Sequence, residues 1–393
     1  MTYPILKLNP GRERRLQAGH LWIFSNEIDN VATPLKSFQA GQVVQVISAR
    51  DQALGLATLN PHCLLCARIL TRDAKEIINV DFFVKRITQA LNLRESFYSQ
   101  PFYRLIYSEG DYLSGLIVDR YDQTLVVQMN TAGMQAQSDN IIEALKTALK
   151  PTRIILRNDS SYRLVEGLPQ ENSIVFGDDQ DIFIEENDTQ FSAPALDGQK
   201  TAWFYDHRAN RAEFIKWVKG KRVLDVYSYL GGWGLEAAKH GAKEVICVDR
   251  SKIALEFLEK NATLNGVKVK TKLGDAFKLL QDLADAQEKF DIVIVDPPAF
   301  IKSKKEINQG IKGYEKLNRL AMKLIKPQGL LVSASCSLHL SREELLNVIQ
   351  SAAQQNHGVA QVVYQGAQAY DHPVHPAISE TSYLKAFFVR LGR

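Results

Sequence analysis

Two short segments in the second half of the chain carry side chains that could do covalent chemistry on a planar ring. In one, Asp296 is followed by Pro297, Pro298, an alanine and Phe300, so prolines stiffen the backbone between a carboxylate and an aromatic ring. In the other, Cys336 stands between two serines. An ionised thiol is a strong nucleophile, but with a pKa of about 8.5 only a few per cent is ionised at neutral pH. A site that uses Cys336 must therefore lower this pKa or remove the proton during attack.

A glycine-rich turn provides a second candidate site. Gly231, Gly232 and Gly234 follow a predicted strand and precede a predicted helix, which lets a ligand approach the backbone closely. Asp225 lies in that strand, where its carboxylate would repel a pyrophosphate but attract an ammonium group. Asp249 ends the next strand and could accept hydrogen bonds from ribose hydroxyls. A plain tight turn is the alternative, but the combination predicts binding of S-adenosylmethionine, a nucleoside that carries an amino acid.

A third acidic residue follows the next predicted strand. Asp275 could accept a hydrogen bond from an adenine amino group, with Phe277 as an apolar wall. The alternative is that Asp275 only caps the helix that begins there.

A methyl donor near Cys336 would suit one reaction in particular. Carbon 5 of a cytosine is a poor nucleophile, and addition of a thiolate to carbon 6 turns the ring into an enamine that can attack a sulfonium methyl group. Asp296 and Phe300 could orient a base that has been flipped out of its stack. A buried, inert cysteine at 336 and an Asx turn at 296 are the structural alternatives.

These residues need a parallel sheet to bring them together, and the second half of the chain predicts one. Apolar runs alternate with helical patterns, as crossover connections require. The predicted strands are residues 222–227, 244–249, 268–273, 291–296, 329–335, 359–365 and 382–391. Because the carboxyl ends of parallel strands meet at one edge, Asp296 and Cys336 should emerge on the same side of the sheet.

The first half of the chain predicts two further domains. Short β segments at residues 42–48, 55–59 and 63–70 indicate a small β module over residues 1–75. An amphipathic helix at residues 82–97 and the strands after it indicate a central α+β domain over residues 76–190. The predicted sheet with the candidate site then occupies a domain over residues 191–393.

Composition limits the class of protein. Of the 393 residues, 45% are hydrophobic and 23% are charged, which excludes disordered and low-complexity chains. No run approaches the roughly 18 apolar residues that span a bilayer, so we expect a cytoplasmic protein with no membrane segment. Cys63 and Cys66 lack a second pair at zinc spacing, and we expect strand packing there and no metal site. The net charge of +4 permits contact with nucleic acid without requiring it.

These motifs resemble a bacterial family of PUA-domain, S-adenosylmethionine-dependent methyltransferases that modify carbon 5 of a cytosine in 23S ribosomal RNA. The resemblance runs along the whole chain. It is carried by residues 8–15 and 20–25 in the β module, 115–121 in the middle domain, and 198–211, 225–234, 296–300, 335–337 and 371–373.

The resemblance implies an α/β fold. Its C-terminal part would be a class I methyltransferase, Rossmann-like with a mostly parallel seven-stranded sheet, behind an N-terminal β-rich PUA-like domain and a central α+β domain. It also implies that Cys336 is the nucleophile and that Asp296 contacts the cytosine near nitrogen 3. Ala299 stands where many RNA cytosine-5 methyltransferases have a second cysteine, so the base that removes the carbon 5 proton is unassigned.

The resemblance further implies a set of residues around the methyl donor. These are Tyr227, Gly231, Asp249 and Asp275, with Gln199, Lys200 and Arg208 beside them. Three further residues complete the predicted cofactor set: Asp225 before the glycine turn, Gly232 in the turn, and Asp296 at the end of a later strand.

The predicted RNA contacts lie in three places. Pro297, Pro298 and Phe300 would face the target base. PUA-like modules bind structured RNA, which makes Arg12, Arg15 and Trp22 candidates for phosphate and stacking contacts, although an exposed basic turn is the alternative. His372, in a segment expected to join the last two strands, could close over the substrate, with a proline-stiffened hairpin loop as the alternative.

Two other functions are compatible with the sequence. A related guanine-N7 or other RNA base methyltransferase would share the Asp-Pro-Pro turn but would need no thiol. A ribosome-assembly protein could keep the cofactor pocket and bind RNA without turnover. The oligomeric state is open, with a homodimer as one option.

Overall fold

The computed structural model describes residues 2–196, 201–356 and 358–392, and their contacts divide into two compact units. The first comprises Met1–Ile182, Pro194–Trp203 and Tyr370–Thr381, and the second comprises Phe183–Ala193, Phe204–Ala369 and Ser382–Arg393. The chain therefore changes unit several times, whereas the predicted boundary at residue 190 is a single cut. Within the described residues, no helix combines the length and hydrophobicity needed to cross a membrane.

The first unit begins with a five-stranded sheet. Its strands are β1 (Ile5–Lys7), β2 (Trp22–Phe24), β3 (Val43–Ile47), β4 (Ala53–Leu59) and β5 (Leu65–Thr71), with the short helix α1 (Glu13–Gln17) after β1. The spatial order is β1-β3-β4-β5-β2. Alternating apolar residues such as Val44 and Val46 face one core, as strands with one covered face require. The predicted β-rich N-terminal module is confirmed.

A second five-stranded sheet follows, in the order β10-β9-β8-β7-β6. Its elements are α2 (Val80–Glu95), β6 (Phe102–Tyr107), β7 (Leu116–Tyr121), β8 (Thr124–Met129), α3 (Ala132–Ala136), α4 (Ser138–Leu149), β9 (Arg153–Asn158), α5 (Ser161–Val165) and β10 (Glu171–Phe176). Helix α2 buries Phe82, Phe83 and Ile87 in the same core as the sheet. This is the predicted central α+β region, with β6 and β10 as strands that the sequence pattern did not indicate.

The second unit contains a two-stranded and a seven-stranded sheet. The first is formed by β11 (Ile182–Glu186) and β12 (Thr189–Ala193). The remaining elements are α6 (Arg208–Phe214), β13 (Arg222–Val226), α7 (Gly232–Lys239), β14 (Glu244–Asp249), α8 (Lys252–Leu264), β15 (Lys270–Leu273), α9 (Ala276–Asp285), β16 (Phe290–Val295), α10 (Ile307–Lys323), β17 (Ile325–Ser335), α11 (Arg342–Gln355), β18 (Val359–Gly366) and β19 (Lys385–Gly392). The strand predictions for this region are confirmed to within a few residues.

The order of the large sheet, β15-β14-β13-β16-β17-β19-β18, determines where a ligand can bind. All neighbours are parallel except β19, which runs antiparallel to β17 and β18. The chain builds outward from β13 in one direction and then resumes at β16 on its other side. Ligands bind outside the carboxyl ends of strands at such a switch point. The side chains at the carboxyl ends of β13, β14, β16 and β17 are therefore placed to line a ligand site.

A buried cation between two glutamates lies beneath helix α7. The Arg211 guanidinium donates to Glu186 at 2.5 Å and lies 3.6 Å from Glu236, and all three side chains are almost completely buried. One positive charge balances only one carboxylate. Burial, together with the charge of Glu186, raises the pKa of Glu236 well above its ordinary value. The folded protein therefore favours the protonated form of Glu236 more strongly than the unfolded chain does.

Replacing Glu236 with glutamine should remove a pH-dependent loss of stability. A raised folded-state pKa means that wild-type stability is full below the unfolded pKa of about 4.3 and decreases as pH rises toward the folded value. The glutamine keeps the acceptor for the Asn187 amide, which donates to Glu236 at 2.9 Å. We expect equal free energies of unfolding at pH 4.5 and a gain of about 1 kcal/mol in the variant at pH 8. Urea unfolding at both values measures this, and a variant less stable at pH 8 would contradict it.

Candidate active site

The glycine turn after β13 has a strained backbone held by two carboxylates. Tyr227 and Tyr229 have φ values of 68° and 48°, in the left-handed region that side chains other than glycine rarely adopt. The amide of Tyr229 donates to Asp249 Oδ2 and the amide of Gly234 donates to Asp225 Oδ2, both at 2.9 Å. Two of the predicted cofactor residues therefore fix the shape of the turn itself.

Asp225 is completely buried beneath this turn. Burial raises the pKa of Asp225 to about 8, and the negative charges of Asp296 and Asp249 add to this effect. The hydrogen bond from the amide of Gly234 lowers the pKa but does not outweigh burial. Among the described residues, Asp225 Oδ1 and the buried Ser228 Oγ have no hydrogen-bond partner. Unsatisfied buried polar atoms at a strained turn fit a bound ligand that supplies donors. Direct contact between Asp225 and an ammonium group stays a prediction.

Gly234 is needed for packing of α7 on the sheet. A Cβ at this position would lie 2.4 Å from Cys247 Sγ and 3.0 Å from Asp225 Oδ2. The sequence assigns this glycine to the approach of a ligand, whereas the structure gives it the close approach of helix to strand. Cys247 is buried in β14, as expected for a core cysteine.

Gly234→Ala should therefore destabilise the protein by about 1–3 kcal/mol through overpacking. Adding Cys247→Ala removes the sulfur atom that the new methyl group meets, so the double variant should recover part of the loss. A double-mutant cycle from urea unfolding measures this coupling. Purely additive losses in the double variant would contradict the assignment.

The carboxylates of Asp249 and Asp275 both lie close enough to Tyr227 for their charges to act on its hydroxyl. Asp249 ends β14, as predicted, and also accepts from the amide of Ser251 at 2.8 Å. Burial and the nearby charge of Asp275 raise the pKa of Tyr227. Asp275 Oδ1 accepts from the amide of Lys278 at 3.0 Å and so caps α9. Its side chain is exposed, and the adenine contact stays a prediction beside the capping role.

An open groove lies next to the aromatic residues of this edge. The rings of Phe277 and Phe300 are stacked with centroids 6.2 Å apart, and Phe300 meets Tyr314 at 4.7 Å. The groove has a volume of about 300 Å³ and is lined by Phe277, Phe300, Glu306, Gln309, Gly310 and Gly313. The aromatic residue of the Asp-Pro-Pro turn is thus partly exposed beside the residue predicted to form an apolar wall.

Asp296 follows β16, and two ring nitrogens face its carboxylate. Trp233 Nε1 donates to Asp296 Oδ2 at 3.1 Å, and His207 Nε2 lies 3.2 Å from Asp296 Oδ1. The amide nitrogen of Asn210 donates to the Ala367 carbonyl at 3.0 Å and lies 3.1 Å from His207 Nδ1. Because that amide group can only donate, Nδ1 accepts and the proton of a neutral imidazole sits on Nε2, facing Asp296.

These donors keep Asp296 ionised. Burial alone would raise its pKa, but His207 and Trp233 outweigh burial and hold the pKa below the ordinary value. The side chain is about one-fifth exposed, with 21% of its surface accessible. Asp296 is therefore a fixed carboxylate at the carboxyl edge of the sheet, available as an acceptor.

Cys336 follows β17, and its side chain is partly exposed. The hydroxyl of Tyr314, on α10, bonds to Ser335 Oγ at 2.9 Å and to Ser337 Oγ at 2.8 Å. Ser337 Oγ in turn accepts from the amide of Ile301 at 3.2 Å. Both neighbours of Cys336 are thus tied to Tyr314, and Ser337 is also tied to the loop after Asp296. The topology brings the thiol and the carboxylate to the same edge of neighbouring strands, as predicted.

The remaining residues predicted near the cofactor and base have mixed positions. Gly231 is buried, Gly232 and Arg208 are partly exposed, and Arg208 begins α6. Pro297 is buried and Pro298 is exposed, and their contact with a base stays a prediction. Gln199 and Lys200 lie outside the described residues.

The RNA candidates of the β module are exposed or partly exposed. Arg12 is exposed next to α1, and Arg15 donates to the Trp22 carbonyl and to Glu27, both at 3.1 Å. The Trp22 indole donates to Glu109 at 3.0 Å. Arg15 and Trp22 thus have internal partners, and the contacts of all three residues with RNA stay predictions.

His372 belongs to a buried network of the first unit, not to a simple hairpin loop. Its Nδ1 lies 2.7 Å from Asp371 Oδ1 and its Nε2 lies 3.1 Å from Arg104 Nη1. Arg104 also pairs with Asp119 at 2.8 Å, and the Asp371 carbonyl accepts from Arg94 at 2.8 Å. The His372 side chain is 1% exposed. Both ring nitrogens face internal groups, and the prediction that His372 closes over a substrate stays a prediction.

Sequence reasoning did not assign roles to His207, Trp233 and Tyr314. His207 lies in the quoted segment 198–211 and Trp233 between the glycines of the turn, so both were visible as parts of motifs. Tyr314 precedes Leu317 by three residues and extends the apolar face of α10. In the described part of the chain, no group of histidines, cysteines and acidic residues is arranged to hold a metal ion.

Two domain families match parts of the chain. Residues 6–72 match the PUA-like domain, and residues 184–364 match the family described as Conserved hypothetical protein 95. The first match coincides with the predicted β module and the second with most of the large sheet.

Curated relatives align over nearly the whole chain. A protein of Photobacterium profundum named Ribosomal RNA large subunit methyltransferase I is 37% identical over 96% of each chain. A protein of the same name from Aliivibrio fischeri is 36% identical over 98% of each chain.

Solved structures share the fold. A protein described as a SAM-dependent methyltransferase from Streptococcus mutans has a TM-score of 0.82 at 22% identity and covers 98% of this chain and 100% of its own. A methyltransferase structure complexed with SAH has a TM-score of 0.83 at 21% identity, over 99% and 100%. At this identity the likeness establishes the fold, and it confirms the predicted Rossmann-like methyltransferase sheet with an N-terminal PUA-like domain.

Proposed function

The chain belongs to the ribosomal RNA large subunit methyltransferase I family, and from this premise we propose that it methylates carbon 5 of a cytosine in 23S ribosomal RNA through a covalent bond to Cys336. One observation carries the proposal. A partly exposed cysteine follows β17 at the same sheet edge as the ionised Asp296, which follows the neighbouring β16.

The protein uses S-adenosylmethionine, which supplies an electrophilic methyl group. We assign its binding to the turn after β13, to the acid that ends β14 and to the acid after β15. The unpaired Asp225 Oδ1 and Ser228 Oγ, together with the strained Tyr227, support a ligand there. Asp249 is the acceptor for ribose hydroxyls and Asp275 for the adenine amino group.

The reaction begins with Cys336. Its thiolate adds to carbon 6 of the cytosine, and the electron pair of the carbon 5–carbon 6 double bond makes carbon 5 nucleophilic. After carbon 5 has gained the methyl group, loss of its proton and departure of the thiolate restore the aromatic ring. The group that accepts this proton is not assigned.

Asp296 positions the base as an acceptor. A carboxylate with a low pKa, bonded to the Trp233 donor and 3.2 Å from His207 Nε2, is poorly suited to protonate nitrogen 3. We propose that it instead accepts a hydrogen bond from the 4-amino group beside nitrogen 3, which distinguishes cytosine from uracil. Phe300 and Pro298 are the candidates for contact with the face of the ring.

The β module supplies contacts that hold the RNA, with Arg12, Arg15 and Trp22 as candidates for phosphate and stacking contacts. We place the reaction in the cytoplasm, with large-subunit ribosomal RNA as the partner.

Bisulfite sequencing of 23S ribosomal RNA tests this function. RNA from cells that lack the protein should lose one protected cytosine, and the purified protein with S-adenosylmethionine should restore it. Methylation of a guanine, detected by nucleoside mass spectrometry, would favour the guanine alternative. Binding of RNA without any methyl transfer would favour the assembly protein.

A further inference from the structure

Lys385 lies beside the candidate nucleophile and has no role in the steps above. It begins the antiparallel strand β19 and pairs in register with Ser335, the last residue of β17. Its ammonium group donates to the carbonyl of Ser337 at 2.6 Å and to the carbonyl of Tyr383 at 2.8 Å. The residue is only 6% exposed. Lys385 therefore contacts both neighbours of Cys336: Ser335 is its partner in the sheet, and the Ser337 carbonyl accepts its hydrogen bond.

The charge of this lysine is coupled to the cysteine. Burial lowers the pKa of Lys385 to about 8. The second-largest effect is the negative charge of a Cys336 thiolate, which raises the pKa of Lys385. Two charged residues of α11 also act on the amine: Arg342 lowers its pKa and Glu344 raises it. From α10, Tyr314 interacts with Cys336. The pairing of β17 with β19 thus fixes the position of the Lys385 cation relative to Cys336.

The hydrogen-bond count suits a proton exchange with a thiol. An ammonium group has three N–H bonds, and two of them are directed at the Ser337 and Tyr383 carbonyls. A neutral amine has two N–H bonds and a lone pair. The same two carbonyls can therefore hold Lys385 in both states while the third position gains or loses a proton.

We propose that Lys385 is a positioning residue that holds Cys336 as the reactive thiolate. The proposal rests on the proposed function, in which Cys336 is the nucleophile. The S–H bond of Cys336 breaks, its electron pair stays on sulfur, and the proton joins the lone pair of the Lys385 amine. Thiol and amine become thiolate and ammonium, so the net charge of the pair does not change. The bond to the Ser337 carbonyl fixes the loop that carries the sulfur.

The rate at which iodoacetamide alkylates Cys336, followed by peptide mass spectrometry across pH, tests this without RNA or methyl donor. In Lys385→Met the thiol loses its cation, so alkylation at pH 7 should slow by about tenfold and its pH midpoint should rise. Lys385→Arg keeps the charge and should keep the midpoint near the wild-type value. Equal midpoints in wild type and Lys385→Met, or an arginine variant that behaves like the methionine variant, would overturn the proposal.

Lys326→Met is the matched control. Lys326 lies near the opposite end of β17, where it pairs with Asp291 at 3.1 Å, so its loss should leave Cys336 alkylation unchanged. If Lys326→Met shifted the pH midpoint of Cys336 alkylation as much as Lys385→Met does, the effect would not be specific to Lys385. That result would also overturn the proposal.

A reciprocal measurement covers the case in which Lys385→Met does not fold. Coupling between two groups is mutual, so Cys336→Ser should make the Lys385 amine easier to deprotonate. Its acetylation at pH 8, relative to that of Lys326 in the same sample, should rise by about threefold. An unchanged ratio would overturn the proposal. Failure of the proposed function would appear separately, as absent cytosine methylation with the expected alkylation midpoints.

Discussion

Replacing Cys336 with alanine should reduce methyl transfer to ribosomal RNA by at least about 1,000-fold, the scale on which loss of a covalent nucleophile is felt. The thiolate is what makes carbon 5 of the cytosine reactive, and no other cysteine follows a strand of the large sheet in the described chain. Because Cys336 is outside the proposed donor-binding set, calorimetric binding of S-adenosylmethionine should change little. Transfer of labelled methyl groups under single-turnover conditions measures the loss.

Cys63→Ala is the control for a general effect of losing a cysteine. Cys63 is a buried residue of the β module whose thiol donates to the Val165 carbonyl at 3.3 Å, and its replacement should leave methyl transfer within about twofold. If Cys336→Ala retains most of the wild-type activity, the covalent mechanism is wrong and the guanine alternative gains support, because that chemistry requires no thiol.

Replacing Asp296 with asparagine should lower the rate of methyl transfer by about 100-fold or more. The substitution preserves shape but removes the charge, and its amide group cannot accept from both the Trp233 and His207 donors. One donor then lacks its acceptor, and the acceptor proposed for the cytosine amino group is misplaced. Single-turnover rates, with RNA binding measured separately, test this.

Asp291→Asn is the matched control on the same strand. Asp291 lies at the opposite end of β16, where its carboxylate accepts from the amide of Arg222 at 2.8 Å. Its replacement should affect stability slightly and methyl transfer by less than about twofold. If both variants lose activity equally, the effect of Asp296 is structural and its proposed contact with the base is wrong.

The pH dependence of wild-type activity provides a further check on Asp296. A carboxylate with a lowered pKa contributes its stabilisation above the unfolded pKa and loses it only as pH falls through the lower folded value. No titration of Asp296 should therefore appear between pH 5 and 8.

Much of the large, seven-stranded sheet can be predicted from local sequence signals. Apolar runs bounded by glycine, proline and acidic residues predicted β13, β14, β16 and β17 closely, because strands covered on both faces need such runs. The edge strand β15 is polar and mostly exposed, so this argument does not apply to it. The edge strands β6 and β10 were missed, since polar residues in β10 and a short connection after α2 weaken the pattern. For Asp275 the sequence cannot distinguish two roles. An aspartate at the start of a helix can cap that helix, as Asp275 does for α9, and the same residue type at the same place can bind a ligand.

By itself the sequence determined the order of the elements and the presence of a carboxylate and a thiol at two strand ends. These depend on residues that are close together in the chain. Only the tertiary structure decided the partners: His207 and Trp233 on Asp296, Lys385 beside Cys336, and the burial of His372 among the groups of the first unit. Each of these contacts joins residues from separate elements, and hydrophobic periodicity carries no information about which distant polar groups a fold will bring together.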